Sequence, residues 1–231
     1  MKILAVDTAT KSCSVAIVDK ELLLAEMTVV NEQTHTKHLL EMISLVIKHS
    51  GLNLSDLNGF AVTRGPGSFT GLRIGISSVK GFAAAQGKPI VGVSSLDALA
   101  RQVSFSPHLI CSLIDARRDE VYSSKYRYKN GNLKKEGKEQ AVSPIDVLGE
   151  IDEPCIFVGS GAVQYRNVIN DKLGEYAYFA QAYENTIRAS TIARLGMDRF
   201  EIDDTDDVET FVPNYIRKSN AQLKLQGKNH K

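Results

Sequence analysis

Asp7, Thr8 and Thr10 stand in Asp7-Thr8-Ala9-Thr10, directly after a short apolar run. A carboxylate and hydroxyls in one turn could hold a hydrated magnesium ion and a phosphate. Asp115-Ala116-Arg117-Arg118 follows a second apolar run and occupies the matching turn. A hairpin that embraces phosphate wants glycine, so that its backbone can come close. Two arginines and no glycine stand there instead. Val158-Gly159-Ser160-Gly161-Ala162 joins an expected strand to an expected helix. Gly159 and Gly161 could admit an adenosine ring, with Ser160 where a stricter motif has glycine.

The strongest local signal is Arg64-Gly65-Pro66-Gly67-Ser68-Phe69-Thr70-Gly71-Leu72-Arg73-Ile74-Gly75. Gly65-Pro66-Gly67 forces a tight turn, and Ser68 or Thr70 can cap the helix that follows. A glycine turn ahead of a helix N-terminus suits an anion. The spacing is not that of a nucleotide loop, because no Gly-Lys-Thr and no third dinucleotide-type glycine follow. The alternative is a tight turn with close helix packing. Gly71, Gly75, Ser78 and Phe82 form one stripe, which would let another helix approach. Leu72, Ile76, Val79 and Ala83 then face a sheet.

Other sets of reactive residues do not assemble. His35 and His38 lie three apart without a nearby carboxylate or cysteine to complete a metal set. A solvated pair is the expectation, and His49 adds nothing to it. Ser68 has no obvious His–Asp partner, and Cys13 lies in an apolar run with nothing to lower its pKa. Cys13, Cys111 and Cys155 are far apart and read as buried, reduced thiols. No metal is expected.

The elements that must position these residues read clearly. Lys2–Val6, Cys13–Val18 and Leu22–Val30 are apolar strands. Thr34–Ser50 is a helix closed by Gly51, and Gly59–Thr63 a strand. Thr70–Gln86 is a helix closed by Gly87, Pro89–Val93 a strand, and a short serine-capped helix runs to about Val103. The order then restarts. His108–Ile114, Glu120–Tyr128 and Leu133–Val142 are strands, with Asn130-Gly131 as a hairpin turn. A helix opens at Ser143-Pro144. Cys155–Val158, a helix over Gly161–Lys172, Tyr176–Phe179 and a helix over Ala189–Phe200 complete the chain. Both halves read three strands, helix, strand, helix, which implies α/β architecture with mixed sheets flanked by helices. The expected units are residues 1–106 and 107–212, side by side with any ligand cleft between them, then an extension over 213–231. One large α/β domain is the alternative.

Thr34–Ser50 is apolar over more of its circumference than a sheet can cover. Seven of the nine residues from Leu39 to Ile47 are apolar, where a surface helix needs an arc of roughly 100°. Another helix of the chain or a partner must cover the rest. Glu201–Glu209 carries six acids in nine residues and reads as a solvated loop. Pro213–Lys231 has five Lys or Arg and no acid, and its end reads as a mobile tail.

Composition narrows the class further. With 28 Lys and Arg against 27 Asp and Glu, the net charge of +1 argues against a protein that coats polyanions. The longest stretch free of Asp, Glu, Lys and Arg is 13 residues, Gln102–Ile114. A spanning helix needs about 20. Asp7 interrupts the only early apolar run, so no signal peptide is expected. A cytoplasmic protein without membrane association is the expectation.

Arg64–Gly75, with Lys80-Gly81 downstream, resembles the signature of the bacterial TsaB (YeaZ) family. Ile3–Thr10 followed by Ser14-Val15-Ala16 looks like that family's start. Val158–Ala162 and Pro213-x-Tyr215-x-Arg217 are similar to its later landmarks. The resemblance spans roughly residues 1–217.

That resemblance implies the actin/sugar-kinase ATPase (ASKHA) fold, built of two ribonuclease-H-like halves. It also implies a role in forming threonylcarbamoyladenosine on tRNAs that read ANN codons. In that role a TsaB protein is a non-catalytic partner of TsaD, the threonylcarbamoyltransferase. TsaE joins the complex and TsaC supplies threonylcarbamoyl-AMP. The chain alone is expected to form a homodimer, to touch tRNA weakly or indirectly, and to hold no cofactor tightly. ATP or ADP would bind only within the complex. The weak nucleotide positions are Asp7, Thr8, Thr10, Gly159 and Gly161. Contacts with TsaD and with a second copy are expected on the two helices of the first half. The residues are His38, Leu39, Met42, Val46, Thr70, Gly71, Arg73, Ile74, Gly75 and Ser78. An active ATPase or kinase of the same fold, with Asp7 and Thr10 on metal and phosphate, is the alternative. A peptidase has no nucleophile or metal set to support it.

Overall fold

The computed structural model describes residues 1–30 and 38–217. In the first half, β1 (Lys2–Asp7) pairs antiparallel with β2 (Ser12–Asp19), and β2 with β3 (Leu22–Val30). After α1 (Leu39–Ser50), β4 (Gly59–Gly65) joins β1 in parallel. After α2 (Phe69–Gln86), β5 (Ile90–Ser94) joins β4 in parallel. The sheet order is β3-β2-β1-β4-β5. Helix α3 (Ser95–Gln102) follows.

The second half repeats this plan. Strands β6 (Leu109–Arg117), β7 (Glu120–Lys129) and β8 (Asn132–Val142) form the antiparallel part. Helix α4 (Pro144–Gly149) leads to β9 (Cys155–Val158), parallel to β6. Helices α5 (Ser160–Gln164) and α6 (Arg166–Leu173) lead to β10 (Ala177–Phe179), and α7 (Ala189–Phe200) closes the helical part. The order β10-β9-β6-β7-β8 is the first sheet's order read in reverse. Two mixed five-stranded sheets flanked by helices are thus what the doubled element order builds.

β1 is a near-continuous apolar strand because both its faces are covered. Leu4 and Val6 meet Met42, Ile43 and Val46 of α1 and Ile76 and Val79 of α2. Ile3 and Ala5 meet Ile192, Ala193 and Met197 of α7. That second cluster also takes in Leu96 and Leu99 of α3 and Ile110 and Ile114 of β6. The last helix of each half therefore serves the other half's sheet. Ser112 on β6 donates to the Leu96 carbonyl on α3 at 3.0 Å, and Ala189 of α7 donates to Ser14 on β2 at 2.9 Å. Element order repeats near residue 106, while the core crosses that point.

Two local expectations need correction, and a third falls partly outside the described residues. The first helix is described from Leu39; residues 34–37, with His35, lie outside the described residues. The single helix expected over Gly161–Lys172 is two, because Tyr165 (φ −105°, ψ 21°) breaks it. That break sends Gly161 and Ala162 against β6 and Ile169 into a third core, with Leu109, Leu113 and Phe157 of the second sheet. Glu201–Glu209 is not a merely solvated loop. Asp206 bridges to Ile90 at the sheet edge and accepts from Gly92 N at 2.8 Å. Arg199 of α7 pairs with Asp204 at 2.6 Å and Asp206 at 2.9 Å, supplying the cation that holds this acidic stretch in place.

Candidate functional site

The turn after β1 is built around an enclosed carboxylate. Asp7 Oδ1 accepts from Ala9 N at 3.1 Å and from Thr63 Oγ1 at 2.9 Å. Among the described residues its Oδ2 has no hydrogen-bond partner, and the residue is fully buried. Burial pushes its pKa up from 3.8 to about 7, against the smaller lowering effect of those two bonds. The same surroundings push the Cys13 thiol up to about 12, through burial first and the Asp7 charge second. Thr10 pairs with Ser12 at 2.8 Å.

The glycine-rich segment closes this turn from above. Thr8 Oγ1 donates to the Gly71 carbonyl at 2.7 Å, and Ser68 N donates to the Ala9 carbonyl at 2.7 Å. A Cβ on Gly71 would strike the Thr8 carbonyl, and one on Gly75 would strike the Thr8 hydroxyl. This corrects the expectation of a small-residue stripe open to a foreign helix: at Gly71 and Gly75 the stripe is filled by Thr8 of the same chain. Ser68 caps α2 by accepting from Gly71 N at 3.2 Å. Thr8 is thus spent inward and Asp7 is enclosed beneath the turn.

The matching turn of the second half, between β6 and β7, is built differently. Arg117, Arg118 and Asp119 are all left-handed, at φ 60°, 58° and 57°. Arg117 N donates to Asp115 Oδ1 at 2.8 Å, and Asp115 N donates to Ser160 Oγ at 3.2 Å. Gly159 (φ 103°) and Gly161 are glycines because β6 passes against them. A Cβ on Gly161 would lie 2.9 Å from Leu113 Cβ, and one on Gly159 would strike the Leu113 carbonyl. Gly159 N is taken by Asn185 Oδ1 at 2.7 Å. Asp7 and Thr8 are thus bonded within the first half and Gly159 within the second.

The expected partner-facing residues divide into two groups. Leu39, Met42 and Val46 are buried in the first core, as are Gly71 and Gly75. Met42 and Gly75 belong to the fold of the single chain, so substitutions there act on folding before they act on any interface. Thr70 and Arg73 are exposed, and His38, Ile74 and Ser78 are half-buried. On α1, Leu40 is left 59% exposed, while Leu45 and Ile47 are half-buried.

Sequence reasoning missed Phe69 and Tyr215 as members of this surface. Their rings stack at 4.8 Å; the Arg73 guanidinium lies 4.0 Å over Phe69 and donates to the Tyr215 hydroxyl at 3.1 Å. The signal available was that Tyr215 sits in Pro213-x-Tyr215-x-Arg217, the segment similar to a landmark of the family. Among the described residues no three His, Cys, Asp or Glu side chains converge as a metal set, and no helix is long and apolar enough to cross a membrane.

Two mixed five-stranded sheets of one topology, each opening on an antiparallel hairpin and flanked by helices, define a protein of the actin/sugar-kinase (ASKHA) class. The family model described as TsaD, tRNA N6-adenosine threonylcarbamoyltransferase, matches residues 26–225. The tRNA threonylcarbamoyladenosine biosynthesis protein TsaB of Bacillus subtilis is 32% identical, over 97% of both chains. Its Escherichia coli namesake is 32% identical over 99% of this chain and 100% of its own. The solved structure of YeaZ from Pseudomonas aeruginosa superposes with a TM-score of 0.80 at 28% identity, covering 93% of this chain and 99% of that one. The chain belongs to the TsaB (YeaZ) family of threonylcarbamoyladenosine biosynthesis proteins.

Proposed function

We propose that this chain is a non-catalytic subunit of the machinery that forms threonylcarbamoyladenosine in tRNAs reading ANN codons. It binds and supports a TsaD transferase, with TsaE joining the assembly and TsaC supplying the activated threonylcarbamoyl group. The observation that carries the reading is the pair of hairpin turns. The first encloses its carboxylate and spends Thr8 inward; the second has Arg117 and Arg118, both left-handed, where a phosphate-embracing turn wants glycine. A chain with the fold of a nucleotide hydrolase but without open phosphate turns suits support rather than turnover. The surface offered to TsaD runs over Leu40, Thr70, Arg73 and Ile74, with His38 and Ser78 at its margin. A second copy uses the same surface when TsaD is absent, so homodimer and heterodimer compete. ATP or ADP binds only within the complex, tRNA is touched indirectly, and the protein works in the cytoplasm.

The unpartnered Asp7 Oδ2 favours the second reading, an ATPase or kinase in its own right. One experiment separates the two. The purified chain is assayed for ATP hydrolysis alone, then for threonylcarbamoylation of tRNA together with TsaD, TsaE and TsaC. Hydrolysis at background alone, with modification lost when the chain is left out, is expected. Steady hydrolysis by the lone chain, abolished by Asp7→Ala, would overturn the first reading in favour of the second.

A further inference from the structure

The last described stretch of the chain crosses from one half to the other. On the first half, Asp206 is bonded along β5. Phe211 is buried beneath Gly92, where a Cβ would lie 2.6 Å from its ring. Lys80 Nζ donates to the carbonyls of Glu209 and Phe211 at 3.0 and 3.1 Å. Asn214 N donates to the Arg64 carbonyl at 2.7 Å. The Asn214 carbonyl lies over Gly65 (φ 116°), where a Cβ would come within 2.7 Å of it. Tyr215 stacks on Phe69, and Ile216 packs against the core shared by both sheets. Arg217 then reaches the second half, donating to Glu120 Oε2 at 2.6 Å and to the Ala116 carbonyl at 3.1 Å.

Those two acceptors bracket Arg117, Arg118 and Asp119. A left-handed residue other than glycine is costly. Such conformations persist only where their surroundings over-determine them. Here three occur in succession, and Arg217 ties the residue before the run to the residue after it. In two-lobed proteins a bound ligand commonly closes the lobes by contacting both. In this chain its own C-terminal segment makes contacts of that kind.

We propose that residues 206–217 are a latch, an intramolecular ligand that holds the two halves together at their turns. Arg217 is the positioning residue that keeps the 116–120 turn in its left-handed form. When the strap leaves, the turn relaxes and the halves lose this link. The proposal does not depend on the role in tRNA modification, since it concerns the chain by itself.

The test uses the full chain and its variants Arg217→Ala, Arg217→Lys and Tyr215→Ala. Arg117 and Arg118 are exposed, so trypsin reports the opening of this turn directly. Amide exchange over residues 117–120 gives an independent readout. Arg217→Ala should speed cleavage after Arg117 or Arg118 by about fivefold to tenfold and raise exchange in that turn, with both sheets unchanged. Arg217→Lys should be intermediate, because an ammonium cannot span two acceptors as a guanidinium does. Tyr215→Ala, whose ring and hydroxyl are held by Phe69 and Arg73 of the first half, should raise exchange at the turn as well. Unchanged cleavage and exchange in Arg217→Ala would overturn the latch. So would a rise spread evenly over both sheets, or a Tyr215→Ala effect confined to its own surroundings.

Discussion

Thr8 fills the space that a side chain on Gly75 would need, and its hydroxyl is held there by the Gly71 carbonyl at 2.7 Å. The strongest motif in the chain is thus the mould of its first turn. Gly75→Ala should destabilise the protein by about 1–3 kcal/mol, because either Thr8 or α2 must shift. Gly81 lies on the same helix with no atom of the described residues within 4 Å of an added Cβ. Gly81→Ala should stabilise by about 0.5–1 kcal/mol through helix propensity alone. Urea unfolding of both variants checks the pair; equal effects would deny the packing role.

Asp7 makes stability depend on pH. Burial raises its pKa from 3.8 to about 7 in the folded chain. Between those values the folded chain retains a proton that the unfolded chain has lost. Its contribution is therefore fully present below pH 3.8, falls as pH rises toward 7, and levels off above. Asp7→Asn cannot ionise and should flatten this part of the profile. Unfolding midpoints of both proteins, measured between about pH 4 and 8, decide it. Parallel profiles would assign the slope to other groups.

Met42 and Leu40 are two residues apart on α1 and should respond oppositely. Met42 is buried in the first core, so Met42→Asp should cost about 3 kcal/mol or more as an unpaired buried charge. Leu40 is exposed, and Leu40→Asp should alter stability by less than about 0.5 kcal/mol. If α1 and α2 present the partner surface, Leu40→Asp should nevertheless weaken TsaD binding at least tenfold. Thermal melting and a binding titration on the same samples separate folding from association.

Arg73 is locked by Phe69 and Tyr215 rather than waving in solvent. A pre-ordered cation loses little entropy on docking. Arg73→Glu should therefore reduce TsaD binding at least tenfold with a melting temperature within a few degrees of wild type. Unchanged affinity would place the partner elsewhere.

Periodicity determined most of what local chemistry could determine. The ten described strands and most of the described helices are legible because apolar alternation, serine caps and left-handed glycines act over a few residues. Ser68, Ser94 and Ser143 each accept from a backbone N–H three residues on, and Gly51 and Gly87 close their helices at φ 70° and 60°. The doubled order of elements is legible for the same reason, and with it the fold class. What the glycines touch was not legible. Gly71 and Gly75 mark only that something comes close, and a helical stripe of small residues looks the same whether Thr8 or a foreign helix fills it. The exchange of α3 and α7 between the sheets carries no local mark either, because an apolar helix face suits any apolar sheet face. The strap is the extreme case. Arg73 and Tyr215 lie 142 positions apart, and no pattern within either segment specifies the other. Such contacts are chosen when the whole chain closes on itself, by shape and by the pairing of groups that local structure leaves unsatisfied.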